Sequence, residues 1–404
     1  REVNTSELNE AIDLLLKKKY VDSFSRLSSA SKKSDEHGIK VSVSMQNKIT
    51  ENFKSPNERL TIIEQLLDAL DQLTPEVEKM PDERWDQFKL VFTHVLKLLA
   101  LYQPNVTDSA ANLNEKLAKY YENVISRYDE TLNYNLNCLN IRERLSGKDS
   151  NAALARALYN VGHSYYLLGD ARKSLDFHNK AYNMRFKLSS TQPNVDMAQS
   201  LFGIGSAYNL LGDYEKELEF SMRSLEMRQS LFAGNHPDVA RSLNCVGCAY
   251  LDLGDLNSAL DYYMRTLEMR KKLYNGNHPD IATSFNNIGG VYEGLGDVKK
   301  GLEYKLKALE MRKALYNDAH PHLAMSLNNV GVTYDSLGDT KKGLEYKLKA
   351  LEMYKKIYPG NHHHVIFSLN NVGLSYEKLG DAKKSSEYFG MAANMRENIE
   401  NGIF

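Results

Sequence analysis

Asn286-Asn287-Ile288-Gly289-Gly290-Val291-Tyr292-Glu293-Gly294-Leu295-Gly296-Asp297 is the stretch on which the fold turns. It closes on a Leu-Gly-Asp turn, and the same turn ends at Asp170, Asp213, Asp255, Asp339 and Asp381. Taken in order, the six turns are separated by 43, 42, 42, 42 and 42 residues. Seven residues before each turn glycine stands a second one: Gly162, Gly205, Gly247, Gly289, Gly331 and Gly373. Three residues after that glycine comes a tyrosine every time, from Tyr165 to Tyr376. Such phase over more than 200 residues marks an internal repeat, so the chain is an array rather than one large core.

Each period predicts two helices. The first, over 281–295 in the quoted unit, carries apolar or small residues at helical spacing. The turn glycine suits the left-handed stop of that helix. The second, over 299–316, sets Leu302, Leu306, Leu309 and Leu315 along one stripe. A loop, Asn277-His278-Pro279-Asp280, leads to the next period. There Asn or His can cap the following helix, Pro suits its first turn, and Asp favours its positive end. One hairpin cannot bury both apolar faces, so the units must stack.

Gly289, Tyr292, Gly296-Asp297, Tyr304 and Ala308 stand at tetratricopeptide spacing, and the chain from 150 onward resembles that repeat family. Its eight extra residues per unit, with the Asn-His-Pro-Asp loop, resemble the lengthened repeats of kinesin light chains. Nothing matches a heptad stalk, so motor function is not implied. The resemblance implies an all-α, right-handed superhelical solenoid of antiparallel helix pairs. It would fill 150–404 with six repeats. Tyr134, Cys138, Ile141 and Arg142 match Phe177, Ala181, Met184 and Arg185 at a spacing of 43, which places a degenerate repeat over 108–149. Helical patterns over 8–17, 21–31, 57–73 and 82–103 make 1–107 an N-terminal helical cap or bundle. A bundle joined to such an array also resembles, in layout, the bacterial aspartate-phosphatase regulators.

In such arrays the first helix of each hairpin lines the concave surface. Positions six before, two before, one after and five after the repeat glycine fall on one line. That line carries Asn160, Asn287, Asn329 and Asn371, whose side chains match the donor and acceptor of an extended peptide. The resemblance implies that they grip one. Arg241 and the apolar Met325, Val332, Phe367 and Leu374 complete the candidate site. Residues 299–311 and 341–353 are identical, yet the line differs between those units at Gly290 and Val332 and at Gly294 and Ser336, and between Met325 and Phe367 one unit on. A duplicated scaffold with a retuned wall accounts for this. Arg156, Arg241 and Lys378 are its only Lys or Arg and lie in separate units, so a neutral or apolar peptide is expected rather than an acidic C-terminal tail.

Composition closes off other classes. A net charge of -1, with no concentrated basic stretch, argues against nucleic acid. Three cysteines do not make a disulfide framework and point to a reducing, cytoplasmic setting. The most apolar window, 88–102, holds Lys89, His94 and Lys97, so no membrane insertion is expected. Cys245-x-x-Cys248 lacks a second ligand pair, and neither metal nor cofactor is expected. His-Pro-Asp recurs at His236 and His278 as a loop cap. The Glu-Met-Arg triplets at Glu226, Glu268 and Glu310 repeat too often for catalysis, so they are scaffold.

The leading expectation is a non-catalytic adaptor that binds a protein or extended peptide. The alternatives are the sensor or targeting portion of a larger enzyme, consistent with a sequence that opens at Arg1, and a peptide-responsive intracellular regulator. Self-association through the C-terminal repeat is a further expectation, because no polar capping helix follows it.

Overall fold

The computed structural model describes residues 106–401, save 126, 148, 190 and 191. The bundle expected for 1–107 lies, up to residue 105, outside the described residues. Fourteen α-helices and one π-helical turn make up the described residues, with no strand among them. The chain divides into two compact units, one ending at Gln192 and one starting at Pro193.

The first unit holds α1 (Asp108–Tyr120), the π-turn Tyr121–Ile125, α2 (Tyr128–Ser146), α3 (Ala152–Leu167) and α4 (Ala171–Leu188). The second holds α5 (Val195–Leu211), α6 (Tyr214–Leu231), α7 (Pro237–Asp252), α8 (Leu256–Leu273) and α9 (Pro279–Gly294). It continues with α10 (Val298–Leu315), α11 (Pro321–Ser336), α12 (Thr340–Ile357), α13 (His363–Lys378) and α14 (Ala382–Glu400). Within each unit, odd-numbered helices pack on the even-numbered helix that follows, and hairpin stacks on hairpin.

Local chemistry starts and stops each helix. Gly296 adopts φ 87°, a left-handed value that a side chain would strain. The Asp297 amide then reaches back to the Tyr292 carbonyl at 2.9 Å, and Asp297 Oδ1 accepts from the Lys300 amide at 3.0 Å. At the other loop, His278 Nδ1 accepts from the Asp280 amide at 3.2 Å while its ring stacks on Tyr274 with centroids 3.5 Å apart. Phe232 with His236, Tyr316 with His320 and Tyr358 with His362 repeat that stack.

The repeat glycine sets the distance between paired helices. A Cβ on Gly331 would lie 2.7 Å from the Gly343 carbonyl oxygen and 2.8 Å from Lys347 Cγ. Sixteen residues after each repeat glycine stands the side chain that seals this crossing: His178, Ser221, Tyr263, Lys305, Lys347 or Phe389. Two of these plugs are charged and buried. Lys347 Nζ meets Asp335 Oδ2 at 2.6 Å and Ser375 Oγ at 2.8 Å. Lys305 Nζ meets Glu293 Oε2 at 2.6 Å and Thr333 Oγ1 at 3.1 Å, and that hydroxyl also binds Glu293. Each ammonium therefore bridges its own hairpin to the next, with the pairing that burial of a charge demands.

The triplet arginines serve the same stack. Buried Arg312 donates to the His322 carbonyl at 3.0 Å and to Ser326 Oγ at 2.7 Å, and Arg270 and Arg228 make the same pair of bonds one and two repeats earlier. Tyr354 takes the arginine's place in α12 and stacks on His364 with centroids 5.4 Å apart. The expected scaffold role of these residues thus rests on inter-hairpin bonds.

Two outcomes are expected. Gly331→Ala should lower stability by about 1–3 kcal/mol in urea unfolding, because a backbone carbonyl cannot swing aside; an unchanged midpoint would contradict the close crossing. The second concerns pH. Burial pushes His178 down to about 3 from the ordinary 6.5. Unfolded chains therefore take up its proton first, and stability is lost as pH falls below 6.5, by about 1.4 kcal/mol per unit for this residue. Buried Glu217, pushed up to about 7, acts oppositely, losing stability as pH rises from 4.5 to 7. Comparing wild type with His178→Phe isolates the first effect, since Phe389 shows that a phenyl ring fits this slot. Between pH 7 and 5 the variant should lose about 2 kcal/mol less; parallel losses would exclude the histidine as the cause.

Candidate functional site

In the second unit the first helices α7, α9, α11 and α13 are tied side by side. Asn287 Nδ2 donates to Asn244 Oδ1 at 3.1 Å, Asn329 to Asn286 at 2.8 Å, and Asn371 to Asn328 at 2.9 Å. Each bond spans 43 residues, one more than the repeat, so the asparagine two before one glycine meets the asparagine three before the previous glycine. Asn209 on α5 extends the tie by donating to Asp252 Oδ2 on α7 and to Glu217 Oε2 on α6, each at 2.8 Å.

The candidate asparagines are thus partly committed to the stack. Asn287, Asn329 and Asn371 are half-buried, and each inter-repeat bond uses one of two N–H groups and leaves the side-chain carbonyl uncommitted by that bond. Their acceptors Asn244, Asn286 and Asn328 were not among the sequence candidates. Asn328 is only 2% exposed. The doublets Asn286-Asn287 and Asn328-Asn329 carried the signal, because a repeat of 42 with a bond of 43 needs both members. In the first unit, Asn160 donates instead to Glu115 Oε1 at 3.2 Å.

On α13, Phe367 lies one turn before Asn371 and Leu374 one turn after it, on the same face. They are 54% and 45% exposed. Val332 on α11 is 38% exposed, and Met325 beside it is half-buried. The cations of the line are all occupied within the chain: Arg241 with Asp238 at 3.3 Å, Lys378 with Asp335 at 3.6 Å and, in the first unit, Arg156 with Glu115 at 3.0 Å.

Cys245 and Cys248 face no metal-like cluster among the described residues. Burial pushes the Cys245 thiol up to about 12, and Cys248 Sγ accepts from Tyr263 Oη at 3.2 Å. Both pack as neutral thiols, the opposite of what a reactive cysteine needs. On α14, the residues in register with Leu344, Leu348 and Leu351 of α12 are Ser386, Gly390 and Ala393, all exposed. These three positions are therefore small where the inner helix carries leucine, while Met391 of the same helix is exposed.

Fold and site together define a class: an all-helical repeat array in which, within the second unit, first helices stand side by side. Comparison with known families makes it specific, since the tetratricopeptide repeat profile matches 108–185, 196–272 and 280–356, more than half of the sequence. The chain belongs to the tetratricopeptide repeat family. No curated protein matches it in sequence. Among solved structures it is similar to a Rap protein complexed with competence and sporulation factor, at 14% identity and TM-score 0.55 over 91% of this chain and 99% of that one. It is also similar to the Rap conjugation gene regulator of plasmid pLS20 in complex with the Phr* peptide, at 14% identity and TM-score 0.53 over 98% and 95%. A putative kinesin light chain of Podospora anserina, with nearly identical TPR-like repeats, gives 15% identity and TM-score 0.45 over 52% and 99%.

A double-mutant cycle on Asn328→Ala and Asn371→Ala should return a coupling of about 0.5–1.5 kcal/mol in urea unfolding, the net worth of one partly buried hydrogen bond. Strict additivity would remove the ladder as a tie between hairpins.

Proposed function

We propose that this chain is a non-catalytic interaction scaffold that holds an extended peptide, or an extended segment of a partner protein, on the first-helix wall of its second unit. One observation carries the reading: Phe367, Leu374 and Val332 stay exposed on the same line as the half-buried asparagine amides. Scattered surface apolar residues are ordinary, but large ones aligned with polar groups of spare hydrogen-bonding capacity make a recognition surface. The amides suit a peptide backbone and the apolar groups suit its side chains. The ligand is neutral or apolar, because each cation of the line already faces a carboxylate of its own chain.

Titratable clusters with nucleophile, base and oxyanion donors underlie catalytic readings. This wall offers amides, apolar side chains and cations already paired within the chain, which favours binding over chemistry. The free cysteines Cys138, Cys245 and Cys248 support a reducing, cytoplasmic setting. No helix among the described residues is long and apolar enough to cross a membrane. Self-association is the weaker partner reading, since Ser386, Gly390 and Ala393 give a second copy little to bury.

A finer reading is a regulator that responds to a signalling peptide. Two of the similar structures were solved with a factor or peptide bound, and their likeness spans 91% and 98% of this chain. Peptide-dependent compaction in small-angle scattering supports that version, and an unchanged profile at saturation removes it.

The general reading is tested by fluorescence anisotropy with labelled ten-residue peptide pools of neutral apolar, basic and acidic free-C-terminal composition. The neutral apolar pool should bind, and Phe367→Ala with Leu374→Ala should weaken it more than ~10-fold, since each lost anchor is worth about 1.5–3 kcal/mol when buried. The triple variant of Asn287, Asn329 and Asn371 to Ala should weaken it too. Tight binding confined to acidic C-termini would overturn the proposal.

A further inference from the structure

Twelve residues after each repeat glycine the second helix carries a small residue, Ser174, Ala259, Gly301, Gly343 or Ser385. In α6 the same place holds a carboxylic acid, Glu217, and it is only 7% exposed. Elsewhere a carboxylate at a crossing is answered by a cation: Glu293 by Lys305 and Asp335 by Lys347, each at 2.6 Å. At the α5–α6 crossing the residue in the lysine's place is Ser221. No ammonium is there to answer Glu217.

What Glu217 meets instead is a second acid. Asn209 Nδ2 donates to Glu217 Oε2 and to Asp252 Oδ2, both at 2.8 Å, so the two oxygens lie within twice that distance of each other. A neutral amide supplies both hydrogen bonds but cancels neither charge. Asp252 belongs to α7, so the pair straddles the junction between the α5–α6 and α7–α8 hairpins. The surroundings bring no relief. Cys248 on α7 accepts from the Tyr263 hydroxyl on α8 at 3.2 Å, and burial raises the pKa of both, which keeps them neutral. On α6, Lys216 binds Asp213 at 2.7 Å and Glu219 faces Arg223 at 3.4 Å. Arg228 and Arg270 donate to Ser242 and Ser284, Arg241 faces Asp238, and His236 caps the opposite end of α7. Neither acid of the pair has a cation partner among the described residues.

We propose that this junction is a proton-operated latch, closed on Asn209 while the Glu217 carboxyl holds its proton and loosened when that group ionises beside Asp252. The later junctions have no such device. Their ties, Asn287 to Asn244, Asn329 to Asn286 and Asn371 to Asn328, join neutral amides, and their buried lysines meet carboxylates. Burial, with Asp252 adding to it, pushes Glu217 up to about 7, which brings the change of state near neutral pH. The closed junction holds the proton more tightly than the open one, so acid favours closure and rising pH favours opening. The latch does not depend on what the wall binds.

Hydrogen exchange of the full chain, read by mass spectrometry from pH 6 to 8 and corrected for intrinsic rates, reports each junction separately. Opening of α6 and of the end of α7 should rise about tenfold over that range in wild type, as a shift from 4.5 to about 7 requires, while α11 and α12 stay level. Glu217→Gln keeps an acceptor for Asn209 without a charge and should show no rise. Glu217→Ala, a residue type that Ala259 shows to fit this place, should be level too and guards against a folding defect peculiar to the first variant. A level wild-type profile would overturn the latch. An equal rise in α11 and α12 would do the same, because that is global loosening. A rise that survives in both variants would also overturn it, since the proton would then belong to another group such as His236.

Discussion

Everything in the second unit depends on how closely two helix backbones approach at the repeat glycine. At Gly289 and Gly331 the approach is tight enough that the facing residues, Gly301 and Gly343, must be glycine too, each within 3 Å of where the other's added carbon would reach a carbonyl. That crossing fixes the rotation of the first helix against the second. With rotation fixed, the same four positions of every first helix point the same way, and a wall exists at all. The plug sixteen residues on then decides how one hairpin meets the next. Where it is lysine, the ammonium must be answered by a carboxylate on its own hairpin and a hydroxyl on the following one. Buried charge is costly when unpaired, so these bridges tolerate little sliding.

The architecture was legible in sequence because its determinants are local and recur. A left-handed glycine, an Asp cap, a His-Pro entry and a leucine stripe each act within a few residues, and their common period states the stacking. Arg228, Arg270 and Arg312 could be assigned to the scaffold by recurrence alone, although their acceptors could not be named. The plugs were not legible. Lys305 and Lys347 read as surface charges on a polar face, and their burial depends on space left by a glycine sixteen residues before and on a carboxylate twelve residues before. His178, Tyr263 and Phe389 share their position without sharing chemistry, so no pattern of residue type announces it.

The site was half legible. Helical geometry placed Asn287, Asn329 and Asn371 on one line, and the structure finds them half-buried, each donating to an asparagine of the preceding first helix. What spacing within a single repeat could not reveal was that an asparagine answers its neighbour one position out of register. The consequence is physical as well as structural. An amide tethered by one N–H has fewer rotamers to lose when a ligand arrives, so its remaining groups are oriented in advance at a small cost in donor number. On the proposed peptide-binding reading, the ladder makes these amides aligned rather than free grips and shifts the weight of recognition toward Phe367, Leu374 and Val332.

The fourth and fifth repeats separate packing from recognition more sharply than any single helix can. Their second helices are identical from 299 to 311 and from 341 to 353, while Ile288 and Val330, Val291 and Thr333, and Glu293 and Asp335 differ inside the stack. Those three pairs have internal accounts, in core volume or in the hydroxyl and carboxylate that answer a buried lysine. Gly294 against Ser336 also has an internal account, since a Cβ on Gly294 would lie 3.2 Å from Leu256 Cδ1, whereas Gly290 against Val332 has none: Val332 is exposed and a Cβ on Gly290 meets nothing within 4 Å. Two repeats that share a scaffold yet diverge where the scaffold is indifferent are constrained there, if at all, by something outside the chain. A ligand lying across both would meet a gap at one and a branched apolar side chain at the other, which gives it a direction.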